Sequence, residues 1–206
     1  MRFSTLSLIA TVASAAFAFA APSPRAFPAT GAIEARSLHD INSIISGTTT
    51  SLTPLIQELY SIKQNNATVA GLTPVINDIE SVLNNAITDV KALAGEALAT
   101  ILTTTEGVQL TVNQVALLVI GLVNLIFGAV YAVIQTVSAL ETAVVYPLLA
   151  SVLTLLATLI QLICGLIAGL LAELIPLVGN MIMTVVSILG LSTTYTFLIV
   201  GAACNA

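Results

Sequence analysis

The sequence contains very little charge. Only 7% of its residues are Asp, Glu, Lys or Arg, whereas a typical soluble domain has about 25%. The charges it has are mostly of one sign, with 5 basic and 10 acidic side chains and a formal net charge of −5. A chain with this balance has no basic surface to attract nucleic acid or an anionic membrane. We therefore expect neither of these as a partner.

Tryptophan is absent, and Cys164 and Cys204 are the only cysteines. In a secretory compartment these two thiols would form one disulfide, although each is equally consistent with a small buried hydrophobic residue. Two cysteines and a single histidine cannot supply the four ligands of a structural zinc site. That histidine, His39, stands beside Asp40, but no nucleophile motif, glycine-rich phosphate loop or carboxylate pair accompanies it. We predict a protein with no metal, no cofactor and no enzymatic activity.

Hydrophobic residues, by contrast, make up 57% of the chain, and the mean hydropathy is +1.06. They are concentrated in residues 108–206, where Glu141 and Glu173 are the only charged side chains, and the last basic residue is Lys91. Leaving some twenty aliphatic side chains in water would cost tens of kcal/mol, at roughly 1.5 to 3 kcal/mol each. We expect the exterior of this half to contact lipid, an apolar surface, a wall polymer or another copy of the chain.

The first 37 residues have the pattern of a segment for export and processing. Residues 1–20 combine a basic start, a short apolar run and the small-residue sequence Ala18-Phe19-Ala20, which predicts a cleaved secretory signal. On this interpretation we expect the protein to be secreted, either to the medium or to a cell wall, with a membrane location as the alternative. Residues 21–37 are rich in Pro and Ala and predict a flexible leader or propeptide. Arg36 within it is either a processing site or part of an exposed linker.

Residues 38–107 predict an amphipathic helical region. Its hydrophobic residues recur at intervals of three and four, which places them on one face of a helix. Asn66 begins the only N-glycosylation sequon, at a predicted exposed turn. The predicted stripes are Leu38, Ile41, Ile45, Thr48, Leu52, Leu55, Leu59 and Ile62, and then Leu72, Ile76, Ile79, Leu83, Ala86, Val90, Leu93 and Ala97.

An internal repeat lies within this region. Residues 51–62 align with residues 71–82, twenty positions later. Each copy contains a Thr-Pro pair, with Pro54 in the first and Pro74 in the second. Threonine is a good N-cap and proline is well tolerated at the first helical position, so we predict that a helix begins at each pair. Pro147 and Pro176 predict helix starts in the same way.

Three apolar runs follow, Val115–Ile134, Val144–Ala172 and Leu174–Ala203, each longer than the roughly 18 residues that suggest a membrane span. We predict two long helices followed by one or two shorter ones. Small and weakly polar residues form a seam on each long helix, and seams of this kind allow close helix packing. We expect the seams to face each other, leaving Leu, Ile and Val outward. They are Gly121, Asn124, Gly128, Ala132 and Gln135, and then Ser151, Thr154, Thr158, Gln161, Gly165, Ala168 and Ala172.

The predicted fold is all-α, with amphipathic helices followed by long hydrophobic hairpins in an elongated bundle. The predicted function is that of a secreted amphiphilic structural protein, which adsorbs or self-assembles at hydrophobic interfaces or at the cell wall surface. An integral membrane protein with two to four spans is the alternative. The lack of basic residues after Lys91 counts against it, because basic loops normally fix topology. A small carrier of lipid or another apolar ligand is a second alternative.

This layout resembles a family of secreted, cysteine-poor wall-surface proteins of mushroom-forming fungi, which have a hydrophilic N-terminal half and a hydrophobic C-terminal half. The resemblance implies a role on aerial hyphae and in attachment to hydrophobic surfaces. The chain is not similar to a hydrophobin, because it has Cys164 and Cys204 instead of eight cysteines. The Thr53-Pro54 and Thr73-Pro74 segments resemble fungal secreted helical proteins that bind hydrophobic surfaces. Neither resemblance implies an active site.

Overall fold

Helices make up most of the part of the chain that the computed structural model describes, residues 40–61, 68–178 and 180–198. No strand occurs in these ranges, although an isolated antiparallel bridge joins Thr103 to Gln109. The predicted all-α class is confirmed. The helices are α1 Ile41–Ser61, α2 Val69–Ala92, α3 Leu98–Leu102, α4 Val112–Thr136, α5 Thr142–Leu166, α6 Leu170–Leu174 and α7 Asn180–Ile188, with a 3₁₀ turn at Ile175–Leu177.

The first two helices begin earlier than predicted. Asp40 precedes α1 and its carboxylate accepts a hydrogen bond from the Ser43 N–H at 2.8 Å, while Thr68 is the N-cap of α2 and accepts from the Gly71 N–H at 3.3 Å. Pro54 and Pro74 lie inside α1 and α2, so the predicted helix starts at these prolines are wrong.

The reason is that the aliphatic stripe continues through each proline. An interior proline costs about 3 kcal/mol, whereas each buried aliphatic side chain on the stripe contributes roughly 1.5 to 3 kcal/mol. Both prolines are exposed, so water can hydrate the carbonyl that each leaves without a helical partner. The threonines before them act within the helix, since Thr53 Oγ1 donates to the Thr49 carbonyl at 2.7 Å and Thr73 Oγ1 to that of Val69 at 2.6 Å.

The later prolines give a similar result. Pro147 lies inside α5, which begins at Thr142. Pro176 is part of the 3₁₀ turn, so a turn and not a helix begins near it. Among the described prolines, all four are exposed and none begins an α-helix.

The predicted stripes on α1 and α2 are confirmed as core, with two residues that differ. Leu55 is only partly buried, and Ala97 is exposed because α2 ends at Ala92. Leu38 and Ile62 lie outside the described residues. The buried members are Ile41, Ile45, Thr48, Leu52, Leu59, Leu72, Ile76, Ile79, Leu83, Ala86, Val90 and Leu93.

The amphipathic helices lie on the apolar ones. We call α1 and α2 the cover, and α4 and α5 the apolar pair. The two helices of the cover pack on each other, α1 packs on α4, and α2 packs extensively on α5. The short helices α6 and α7 pack on α4. One continuous hydrophobic core results, to which the cover and the apolar pair both contribute.

Candidate interaction surface

The apolar pair turns most of its large apolar side chains inward. Val115, Phe127, Leu149 and Leu156 are fully buried, and most Leu, Ile and Val residues of both helices are buried or half-buried. The prediction of an aliphatic exterior is therefore wrong for the described residues. The cover explains the difference, because its own aliphatic stripe and the aliphatic faces of the apolar pair bury one another.

The predicted seams do not face each other either. On α4, Gly121, Asn124 and Gln135 are exposed. When the large side chains are buried, small and weakly polar residues are the ones that can face water at least cost. In lipid, by contrast, small residues pack between helices and the large aliphatic side chains face outward. On the second seam, Thr154, Gln161, Gly165, Ala168 and Ala172 are exposed, and Ser151 and Thr158 are half-buried.

The second seam is also shorter than predicted. Helix α5 ends at Leu166, and Gly169 adopts a positive φ of 85° that precedes α6. A left-handed residue stops a right-handed helix, and glycine adopts this conformation without steric cost. Ala168 therefore lies in a turn and Ala172 on α6, so the last two seam residues are not on α5.

A polar contact joins the cover to the apolar pair. The hydroxyl of Ser151 on α5 donates a hydrogen bond to the carboxylate Oε1 of Glu80 on α2, and both residues are half-buried. Asp78, two positions earlier, is exposed. Sequence analysis did not single out Glu80 as a contact residue. Its position three residues before Leu83, at the edge of the buried stripe, was the available signal.

A second long-range contact holds the last described residues against α4 and α5. Tyr195 is buried, and its hydroxyl donates to the Leu153 carbonyl of α5 at 2.7 Å. Its ring packs edge-on against Phe127 of α4, with centroids 5.6 Å apart, and stacks on Phe197 at 6.1 Å. Burial raises the pKa of the Tyr195 hydroxyl above its usual range. Sequence analysis did not predict this role of Tyr195. The available signal was a single large aromatic side chain in a polar turn.

The turn between α4 and α5, together with the first residues of α5, exposes apolar side chains. Leu140 is 93% exposed and Val144 51% exposed, and the small residues Ala139 and Ala143 between and beside them are exposed as well. We call these four residues the tip. Glu141 lies within it and is half-buried. The tip thus places four apolar side chains next to one another in water, and contiguous exposed apolar residues are typical of surfaces for contact.

Several predicted sites lie outside the described residues: the signal at 1–20, the leader with Arg36, His39 and the sequon at Asn66. Of the two cysteines, Cys164 is a half-buried free thiol, and Cys204 lies beyond the described chain, so the disulfide stays a prediction. Over the described ranges, no three His, Cys, Asp or Glu side chains come together as a metal site would require.

An apolar cavity between α4, α5 and α6 is small. It has a volume of about 10 Å³ and is lined by residues that include Val119, Ile160 and Leu174. This is close to the smallest space that holds one water molecule. The cavity gives no support to the carrier hypothesis.

By length and composition, α4 and α5 are each able to cross a membrane, and a bent pair, Leu170–Leu177 with Ile182–Ile188, would be a third span if counted as one. Comparison of the chain with protein-family models, with curated proteins and with solved structures found no match. The described structure thus defines a class by architecture alone: a helical bundle whose amphipathic cover buries two helices of membrane-spanning character.

Proposed function

We propose that this protein is a secreted, non-enzymatic amphiphile that adsorbs at hydrophobic interfaces through the apolar pair. The packing of α1 on α4 and of α2 on α5 is the observation that carries the proposal. In water the cover shields the aliphatic faces of α4 and α5. At an apolar surface the cover separates from the apolar pair, and the aliphatic faces of α4 and α5 contact the surface. The polar side of the cover then faces water.

The charged side chains of the cover require that the cover separate from the apolar pair before α4 and α5 enter an apolar phase. Glu58, Asp78 and Lys91 are exposed on α1 and α2. A charged side chain at the centre of a bilayer costs about 2.5 to 3.5 kcal/mol on insertion scales. The apolar pair therefore cannot enter hydrocarbon with the cover in place. Release costs little because a side chain of the apolar pair that leaves the cover for an apolar phase stays out of water. The aliphatic stripe of the cover can lie on the same surface with its polar face toward water, as amphipathic helices do at interfaces.

The tip is where contact with the surface begins. Leu140 and Val144 are already exposed, so they can enter an apolar phase before any helix moves. Glu141 in the same turn carries a charge that would have to cross the bilayer if α4 and α5 spanned it. This favours shallow adsorption over full insertion.

The distribution of charge also supports relationship to the secreted wall-surface family of mushroom-forming fungi. Charged residues are concentrated in and around the cover, and the last part of the chain has only Glu141 and Glu173. We propose the same location for this protein, outside the cell and at the wall surface, where it contacts a hydrophobic interface, wall polymer or lipid and associates with other copies of itself.

A reversible lock on the cover tests the proposal. Glu80→Cys and Ser151→Cys, with Cys164 and Cys204 replaced by serine, can be joined by a short bis-methanethiosulfonate reagent, because the native side chains touch. The reagent forms a reducible mixed disulfide with each cysteine and releases methanesulfinate. We expect the locked protein to lower oil–water interfacial tension slowly, and reduction to restore the rate. The two single-cysteine variants with the same reagent are the controls. Equal rates for locked and reduced protein would refute release of the cover.

An integral membrane protein is the second candidate, and the length and hydropathy of α4 and α5 favour it. Extraction of native membranes with urea at neutral pH distinguishes it: an adsorbed protein is removed and a spanning protein is retained.

A further inference from the structure

A small polar groove lies between the two helices of the cover. Its volume is about 150 Å³, similar to that of a cavity that holds a molecule of about six non-hydrogen atoms. We propose that this groove binds a protonated primary amine. The groove is lined by Ser43, Ile44, Gly47, Thr48 and Ser51 of α1 and by Val82, Asn85, Ala86 and Asp89 of α2.

The hydrogen bonds within the groove leave acceptors for a ligand. Ser43 Oγ donates its proton to Asp40 Oδ2 at 2.6 Å, and Thr48 Oγ1 donates to the Ile44 carbonyl at 2.7 Å. A hydroxyl has one proton, so both oxygens can only accept from a ligand, and the Asp89 carboxylate is also an acceptor. A primary ammonium group has three N–H donors and no acceptor, so it complements these three oxygens. Ser51 and Asn85 also line the groove, and each can turn an oxygen toward the ligand.

The charge around the groove favours a cation. Asp89 is half-buried at its wall, and the buried carboxylate of Asp40 lies behind Ser43. The one basic residue in the described ranges, Lys91, is exposed. A metal ion suits the groove less well, since a single carboxylate lines it and the described residues contain no cluster of three metal-binding side chains.

Titration of the full chain with ethanolamine, followed by the backbone NMR signals of Gly47 and Asn85, tests the proposal. We expect saturable, roughly millimolar binding. Choline, which has the same charge but no N–H donor, should bind at least about tenfold more weakly, as should ethanolamine to Asp89→Asn. Asp78→Asn makes the same change in charge at an exposed site and should alter affinity less than about twofold.

A steric variant provides an independent test. A Cβ atom on Gly47 would meet no atom within 4 Å, so Gly47→Leu can fill the groove without disturbing the helices, and it should abolish binding. Gly165→Leu on α5, where the space is equally open, should bind as the unmodified protein does. Equal affinity for choline, equal effects of Asp89→Asn and Asp78→Asn, or unchanged binding to Gly47→Leu would each overturn the proposal.

The amine could belong to a lipid headgroup, to an amino-sugar polymer or to a free small molecule. Parallel titrations with vesicles containing phosphatidylethanolamine or only phosphatidylcholine, and with glucosamine oligomers, identify the source. The groove does not depend on adsorption of the apolar pair. Protein with its cover locked by the cross-link should bind ethanolamine normally, so failure of one proposal leaves the other standing.

Discussion

Replacement of Leu83 by alanine should loosen the cover and accelerate adsorption. Leu83 is fully buried on α2, and it lies three residues after Glu80, the residue that contacts Ser151 of α5. Residues three apart share a helix face, so Leu83 lies on the side of α2 that meets α5. Leu-to-Ala changes at such positions cost about 2.7 to 5.0 kcal/mol. A loss of about 3 kcal/mol raises the open population roughly a hundredfold.

The assay pairs two measurements: the free energy of unfolding from urea titration, and the rate at which interfacial tension falls at an oil–water surface. Leu170→Ala is the matched control, because Leu170 is also fully buried but lies on α6, which packs on α4. We expect both variants to lose similar stability and only Leu83→Ala to adsorb faster. If Leu170→Ala accelerates adsorption equally, global unfolding governs adsorption and release of the cover does not.

Two further predictions concern the tip and the buried tyrosine. Leu140→Asp should slow adsorption by at least about tenfold, since it places a charge where the surface is first met, with little change in stability; Leu98→Asp, at another exposed leucine, should leave the rate unchanged. For Tyr195, the raised pKa means that the folded state keeps a proton that the unfolded chain loses above pH about 10. The free energy of unfolding should fall above that pH by up to about 1.4 kcal/mol per pH unit. Urea titrations at pH 9 to 11.5 measure this dependence, and Tyr195→Phe should remove the part of it that Tyr195 causes. Parallel pH curves for the two proteins would contradict the assignment.

The buried face of each cover helix was predictable because the amphipathic pattern of its sequence specifies which side faces the core. In α1 and α2, polar residues alternate with aliphatic ones at helical spacing, so Ile45, Leu52 and Ile76 had to face a core. The same spacing shows that both helices continue through Pro54 and Pro74. The local Thr-Pro signal suggested helix starts there, but the summed burial of a whole stripe outweighs one proline.

The orientation of the apolar pair was not predictable in this way. A helix that is apolar on nearly all sides can turn either its aliphatic face or its seam toward a partner, and the choice depends on what that partner is. The contacts of Glu80 with Ser151 and of Tyr195 with Leu153 join residues 71 and 42 positions apart. No local pattern specifies such pairs, so they follow only from the packing of whole helices.

The two faces of α4 and α5 lead to a last prediction. Once an apolar phase replaces the cover, the aliphatic faces turn toward that phase and the seams become free to meet, as small residues do between helices in lipid. Asn124 lies 13 residues before Val137 and Thr154 lies 13 residues after Glu141, the residues that bound the connecting turn, so an antiparallel hairpin brings the two opposite each other.

Asn124→Cys with Thr154→Cys, in a chain that lacks the native cysteines and with oxidised glutathione as the oxidant, should therefore form no intramolecular disulfide in water, where both positions are exposed. Adsorption to oil droplets should bring these cysteines within the Cα separation of about 4.4 to 6.8 Å that a disulfide requires. Non-reducing electrophoresis of the adsorbed fraction reports the bond, and the single-cysteine variants reveal pairing between copies. Equal disulfide yields in water and on droplets would mean that adsorption does not bring the two seams together. The helices α4 and α5 would then adsorb without rotating about their axes.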